Sequence, residues 1–261
     1  MKRKPRLDYA YSVGRVRALE RALVQRPVFE EAAELPDFGA ALKLIYDAGR
    51  YPETLVKAQD SVELDAVLSG EEEALKREMA ELLPEKDVLD AFLFRDDPEK
   101  ALGAAEAAGY PFLQDHFRRR IDLMNIKVFV RARYLGLSVE KLEACLLDGG
   151  FMKRKEFVER FALASVEPED FPDSSPYREV WENGLAALNQ RETFVPLERG
   201  IEDFLMVDLC KARAVTFGPE PVFAFGLAKE RELRLVRLIG VGKMNALPAD
   251  ILKERISATY V

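Results

Sequence analysis

Lys243 stands directly after Gly240-Val241-Gly242, and glycines followed by a lysine are the residue types that cradle a phosphate. A phosphate loop also needs an earlier glycine and a hydroxyl after the lysine. This sequence has neither, and the segment carries a helical pattern. Gly240 and Gly242, like Gly226, therefore read as places where two helices approach closely. His116 is the chain's single histidine. No serine or cysteine nucleophile motif surrounds it, so it reads as a structural histidine with its hydrogen bonds satisfied rather than a general base. One histidine and two scattered cysteines, Cys145 and Cys210, cannot form the usual zinc constellations. Both cysteines fall in apolar-periodic segments and read as reduced core thiols of a cytosolic protein. The carboxylate runs Glu71–Glu73 and Glu167–Asp170 lack the spacing of a calcium loop and read as solvated. No metal, cofactor or catalytic residue is expected.

The densest basic cluster is Arg118, Arg119 and Arg120, continued by Lys127, Arg131 and Arg133. Two readings stand beside each other. One is a docking strip for an acidic protein partner; the other is a solvated helix side laced with i,i+4 ion pairs. Nucleic acid is not the expected partner, because the chain carries a formal charge of −7 and no aromatic residues interleave with these cations.

The element that positions this cluster is a long helix. Leu113, Phe117, Ile121, Met124, Val128, Ala132 and Leu135 recur every three or four residues and define one face. Gly136 can end it by taking positive φ, Ser138 offers an N-cap oxygen, and Glu140 places a carboxylate in the first turn of a short second helix. The surrounding chain is read the same way. A first helix starts at Tyr9. Asp37 caps one through Ala48, and Thr54–Leu68 forms another that Gly70 interrupts. Asp96-Asp97-Pro98 restarts a helix after Leu93, and Pro196 and Val222 open the last long ones.

No segment alternates apolar and polar residues convincingly, so the fold class is all-α. Hydrophobic residues make up 48% and charged residues 33% of 261 positions, which suits a helical protein able to bury one large core or two smaller ones. No apolar run reaches the roughly 18–20 residues of a membrane span. The basic MKRKPRLDYA start lacks the apolar stretch of a secretory signal.

The helix–break–helix unit recurs. With Asp122 placed over Glu232, 110 residues on, Leu123 meets Leu233, Lys127 meets Arg237 and Arg133 meets Lys243. Leu137 then falls over Leu247, Glu140 over Asp250, Leu142 over Leu252 and Leu146 over Ile256. A weaker third copy lies at Asp97–Gly109. Repeats of this kind build similar helical lobes. The expected organisation is an N-terminal helical lobe over 1–109, a central repeat over 110–165, a linker at 166–176 (VEPEDFPDSSP) and C-terminal helices over 177–261. Basic positions shared by the repeats, Lys127 with Arg237 and Arg133 with Lys243, join Arg118–Arg120 as candidate partner contacts.

Three segments together resemble the C subunit of V-type (archaeal and bacterial A/V-type) ATPases, whose eukaryotic equivalent is the d subunit. The first is Tyr9-Ala10-Tyr11 leading into Arg15-Val16-Arg17-Ala18-Leu19-Glu20. The second is Asp122-x-x-Asn125-Ile126-Lys127 followed by Arg131-Ala132-Arg133 and Gly136-Leu137-Ser138. The third runs from Pro221-Val222-Phe223-Ala224-Phe225-Gly226 to Tyr260-Val261. The resemblance implies a funnel of three similar helical lobes without catalysis of its own. Its implied place is the cytoplasmic face of the membrane, between the D and F subunits of the shaft and the proteolipid ring of a proton- or sodium-translocating rotary complex. The chain is shorter than typical members, so the first lobe is expected to be trimmed or divergent. Two other readings remain: a free-standing helical interaction protein, and an enzyme built from dispersed carboxylates.

Overall fold

A computed structural model describes residues 5–163 and 175–261. The described residues form helices joined by short turns, with no strand among them. In chain order the helices are α1 (Ala10–Leu19), α2 (Arg26–Glu34), α3 (Phe38–Ala48), α4 (Thr54–Lys57), α5 (Ser61–Leu82), α6 (Lys86–Leu93) and α7 (Pro98–Ala108). They continue as α8 (Pro111–Tyr134), α9 (Val139–Cys145), α10 (Arg154–Phe161), α11 (Arg178–Arg191), α12 (Val195–Cys210), α13 (Pro219–Met244) and α14 (Ala249–Arg255).

The local signals act as their chemistry requires. Asp37, Asp60 and Asp97 each accept a hydrogen bond from the third backbone N–H beyond them and start α3, α5 and α7. Gly70 does not interrupt α5. A lone glycine costs a helix only about 1 kcal/mol against alanine, and the strong helix formers from Glu71 to Leu82 carry the helix through it. Of the expected linker, 166–174 lies outside the described residues, and Tyr177 beyond it leads into α11.

Three apolar cores organise the molecule, and they do not follow chain order. The central core combines α1, the second half of α5, α6 and α7 with the first halves of α8 and α13, the end of α12 and Tyr260. One distal core surrounds the second half of α8 with α9, α10, α11 and α12. The other surrounds the second half of α13 with α14, α2, α3, α4 and the first half of α5. The N-terminal helices therefore complete the unit begun by the C-terminal ones. The three longest helices, α5, α8 and α13, each belong to the central core and one distal core. This explains why the apolar face of α8 does not stay on the predicted stripe. Its second half buries Leu123, Ile126, Phe129 and Val130, while Met124 and Val128 are only half-buried.

The repeat seen in sequence has a structural counterpart. After α8, the Gly136 N–H donates to Arg133 O (3.1 Å) and the Leu137 N–H to Ala132 O (3.0 Å). After α13, the Ala246 N–H donates to Lys243 O (3.1 Å) and the Leu247 N–H to Gly242 O (2.9 Å). Each break is the paired-bond helix stop that needs a left-handed residue, and the φ values are 61° at Gly136 and 51° at Ala246. Leu142 and Leu252 then anchor α9 and α14 with no exposure. Close helix approaches fall where glycines stand: a Cβ at Gly226 would lie 2.7 Å from Phe92 and 2.8 Å from Met79, and one at Gly240 would lie 2.4 Å from Leu64.

Gly136 adopts its left-handed conformation without a Cβ clash, whereas Ala246 holds the equivalent one against such a clash, worth about 1–2 kcal/mol. Ala246→Gly should stabilise the protein by about 0.5–1 kcal/mol after the extra backbone freedom of glycine is deducted. Urea unfolding monitored by circular dichroism measures this; a loss of stability would contradict the equivalence of the two breaks.

Candidate interaction surfaces

Asp122 and Glu232, the two acids that the repeat pairs, are its most deeply buried carboxylates. Asp122 has no exposure and Glu232 is 3% exposed. Asp122 accepts hydrogen bonds from Phe151 N (3.2 Å), Met152 N (3.0 Å) and the Tyr177 hydroxyl (2.8 Å). Glu232 accepts from Val24 N (2.5 Å), the Tyr51 hydroxyl (2.6 Å) and Lys229 Nζ (2.5 Å). Both carboxylates thus tie a long helix to the backbone just before a neighbouring helix, α10 in one lobe and α2 in the other, and both accept a hydrogen bond from a tyrosine hydroxyl. Burial raises Asp122 above the usual aspartate range, and burial beside these carboxylates raises Tyr177 and Tyr51. Three residues past Asp122, the Asn125 side chain both donates to Leu147 O (3.0 Å) and accepts from Leu147 N (2.8 Å), fixing the chain after α9.

The predicted basic contacts do not form one strip. Arg118 pairs with Glu106 at 2.9 Å, and Arg119 pairs with the buried Asp208 at 3.0 Å. Lys127 and Arg131 converge on Glu198, at 3.0 and 2.5 Å. Arg237, the repeat partner of Lys127, pairs with Asp65 at 2.8 Å. Arg133 donates to Leu163 O beyond α10, and Lys243 donates to Leu35 O beyond α2 at 2.5 Å. A cation bonded to carbonyls at a helix C-terminus completes their unmet acceptor capacity. The shared basic positions of the two repeats therefore do matching internal tasks. Lys127 and Arg237 remain 37% and 40% exposed at the side chain, so each still presents charge to the surface.

Arg120 behaves differently from its two neighbours. It lies in a narrow throat of about 40 Å³ with His116, Leu205, Met206, Leu209 and Leu227. Burial pushes its guanidinium below the ordinary arginine value. A second cleft of about 260 Å³, lined by α8, α12, α13 and Arg255 of α14, shares Glu202, Arg231 and Arg234 with it. Six cations line cleft and throat against three carboxylates (Glu198, Glu202 and Glu230). Exposed apolar side chains gather at the two helix breaks, Tyr134 and Leu135 at the end of α8 and Met244, Leu247 and Ile251 around the other.

His116 is buried, as a structural histidine should be, but it is not satisfied. Neither ring nitrogen has a hydrogen-bond partner among the described residues, and the ring packs edge-on against Phe117 and Phe223. Cys210 is half-buried, and Cys145 is exposed rather than a core thiol, because the short α9 buries only Leu142. No group of three or more His, Cys, Asp or Glu side chains is arranged to hold a metal among the described residues, and none of the described helices is long and apolar enough to cross a membrane.

These features define a class: an all-α protein built on a duplicated helix–break–helix unit, whose charged surface is largely paired within the chain. The chain belongs to the ATP synthase (C/AC39) subunit family, whose model matches residues 99–255 and so takes in nearly all of both repeats. It is 22% identical over 255 residues to the C subunit of the A-type ATP synthase of Methanocaldococcus jannaschii, covering 96% of this chain and 58% of that one. Over 155 residues it is 27% identical to the C subunit of the V-type sodium ATPase of Enterococcus hirae, covering 59% of this chain and 47% of the relative. The C subunit of the A-type ATP synthase of Methanothermobacter thermautotrophicus is 24% identical over 200 residues, covering 74% and 50%. The chain spans about half the length of the curated relatives it matches.

Burial lowers His116 from 6.5 to about 3, with the nearby Arg120 acting in the same direction. The folded state therefore holds the ring neutral where the unfolded chain takes up a proton. The stability this provides is complete above pH 6.5 and is lost as the pH falls toward 3. Between pH 7 and pH 5 the protein should lose about 2 kcal/mol more stability than His116→Leu does. Urea unfolding across that range measures the difference, and parallel pH profiles would contradict it.

Proposed function

We propose that this chain is a non-catalytic adaptor in the central stalk of a V-type or A-type rotary ATPase or ATP synthase. In this reading it couples the shaft, formed by the D and F subunits, to the proteolipid ring that carries protons or sodium ions, at the cytoplasmic face of the membrane. The observation that carries the proposal is the family match over the two repeats. The architecture supports it: three long helices each bridge a central and a distal core, and helices shared between cores keep lobes from moving independently, as torque transmission requires. The buried carboxylates argue against the reading as an enzyme built from dispersed acids. Asp122, Glu232 and Glu85 each accept hydrogen bonds inside a different core rather than converging on one pocket.

Partner contacts are assigned to the exposed parts of the basic positions shared by the repeats, Lys127 with Arg237 and Arg133 with Lys243, together with Arg118 and Arg119. Similar lobes present similar charge to a partner from two directions. A free-standing interaction protein would share the fold but not the partners.

Pull-down with the cognate D–F shaft and the proteolipid ring should recover the chain at stoichiometric yield. Charge reversal at both Lys127 and Arg237 should lower recovery at least about tenfold. Loss of their exposed internal ion pairs costs only about 0–1 kcal/mol each, so the variant should stay folded by circular dichroism. Recovery of nothing by the unmodified chain, while the other components of the complex assemble, would overturn the adaptor reading. Full recovery of the double variant would overturn the contact assignment.

A further inference from the structure

We propose that the extended run 256–261, which follows α14, is a cross-tie that fixes the angle between the two distal cores, and that loosening it lets them move as separate bodies about the central core. This goes beyond the adaptor reading and does not depend on it.

The long helices leave that angle unset. Each distal core shares a long helix with the central core, but among the described residues the two share no helix with each other. Where α8 and α12 face α13 and Arg255 of α14 stands the cleft of about 260 Å³, lined largely by charged side chains rather than by a packed apolar face. Ion pairs across this boundary include Arg231 with Glu202 at 3.3 Å and Arg191 with Glu254 at 2.8 Å. The second joins side chains 54% and 34% exposed, and such pairs contribute little and weaken with salt. Bodies that meet through a polar boundary of this kind move relative to one another unless something else holds them.

The run after α14 supplies that hold. It is neither helix nor strand, so its backbone groups depend on side chains of other elements for their hydrogen bonds. Ile256 is fully buried in the distal core of α13. Ser257 Oγ, also without exposure, accepts from Arg231 Nε and Nη2 on α13 at 2.8 and 2.6 Å. The Ala258 N–H donates to Asp203 Oδ1 at 2.5 Å, a charge-assisted bond to α12 of the opposite distal core. Thr259 Oγ1 accepts from Arg26 N at the start of α2 at 3.1 Å. Tyr260 seats its ring in the central core, 3% exposed, and its carbonyl accepts from Arg213 Nη1 at 3.3 Å. Five consecutive residues thus reach elements of all three cores. The anchors to α13, α12 and α2 fall on three successive residues, a span of about 7 Å that leaves little slack for rotation.

Pulsed double electron–electron resonance on the full chain tests the tie. One spin label goes on Cys145, exposed on α9, whose Leu142 is buried in one distal core. The other goes on Val62→Cys at the start of α5, where the valine is 75% exposed and the following Leu64 is buried in the other distal core. Cys210→Ser prevents labelling at that position and keeps a donor near Tyr260 O. The otherwise unmodified chain should give one narrow distance distribution. Asp203→Ala combined with Thr259→Val removes two half-buried polar anchors and leaves Tyr260 in place. This double variant should keep its helix content by circular dichroism and broaden the distribution at least about twofold. Tyr260→Ala should broaden it at least as much. Arg191→Ala, which removes an ion pair outside the run, should leave the width unchanged. An unchanged distribution in the double variant, or equal broadening by Arg191→Ala, would overturn the proposal. A double variant that lost its helices would overturn it too, because the run would then be a condition of folding rather than a tie between folded bodies.

Discussion

A buried carboxylate accepting a hydrogen bond from a tyrosine hydroxyl recurs in each of the three apolar cores. Glu85 takes the hydroxyls of Tyr9 and Tyr110 in the central core, at 3.0 and 2.6 Å. Asp122 takes that of Tyr177 in one distal core and Glu232 that of Tyr51 in the other. Removing a carboxylate from water costs several kcal/mol, which only a nearly complete set of donors offsets. Each acid therefore demands that particular groups arrive at one point: a helix, a tyrosine from another element, and in the distal cores the backbone N–H before a third. Apolar packing alone would tolerate sliding among similar helices; these polar points do not. In one distal core Lys229 adds a counter-charge and stacks over the Tyr51 ring at 4.1 Å. In the other Asp122 has hydrogen-bond donors but no ion-pair partner among the described residues, which agrees with its raised pKa.

The order of the chain through the cores follows from these points. Glu232 on α13 captures Val24 before α2, so the N-terminal helices close the unit begun by α13 and α14. The Arg26 N–H donates to Thr259 Oγ1 at 3.1 Å, bringing residues near the two ends together. In the other lobe Asp122 captures Phe151 and Met152 before α10, which follows α8 and the short α9 closely in sequence. The same arrangement is thus built once from neighbouring segments and once from distant ones. The likeness extends to side chains: Phe157 and Phe29, each five residues beyond the captured Met152 and Val24, are both buried.

The helix–break–helix unit, its duplication and most caps were legible because they rest on local rules: apolar spacing, an N-cap oxygen, a residue able to turn left-handed. The register of the repeat even paired Asp122 with Glu232, but the apolar stripe read along α8 left Asp122 off the buried face. Periodicity assumes one buried face, and these helices are buried on different sides as they pass from one core to the next. The basic residues misled for the same reason. Arg118, Arg119 and Arg120 are consecutive and so point in three directions, toward α7, α12 and the throat. Nothing within α8 marks Arg120 as the one without an ion-pair partner among the described residues, because that depends on where the carboxylates of α12 and α13 are already engaged.

Each distal core is organised by its buried acid and the tyrosine bonded to it. Double-mutant cycles measured by urea unfolding test it directly, using Asp122→Ala with Tyr177→Phe and Glu232→Ala with Tyr51→Phe. A coupling of about 1–3 kcal/mol is expected within each pair, with additivity, to about 0.5 kcal/mol, between a substitution in one distal core and one in the other. Additive losses within either pair, or a cost below about 0.5 kcal/mol for removing either acid, would contradict it.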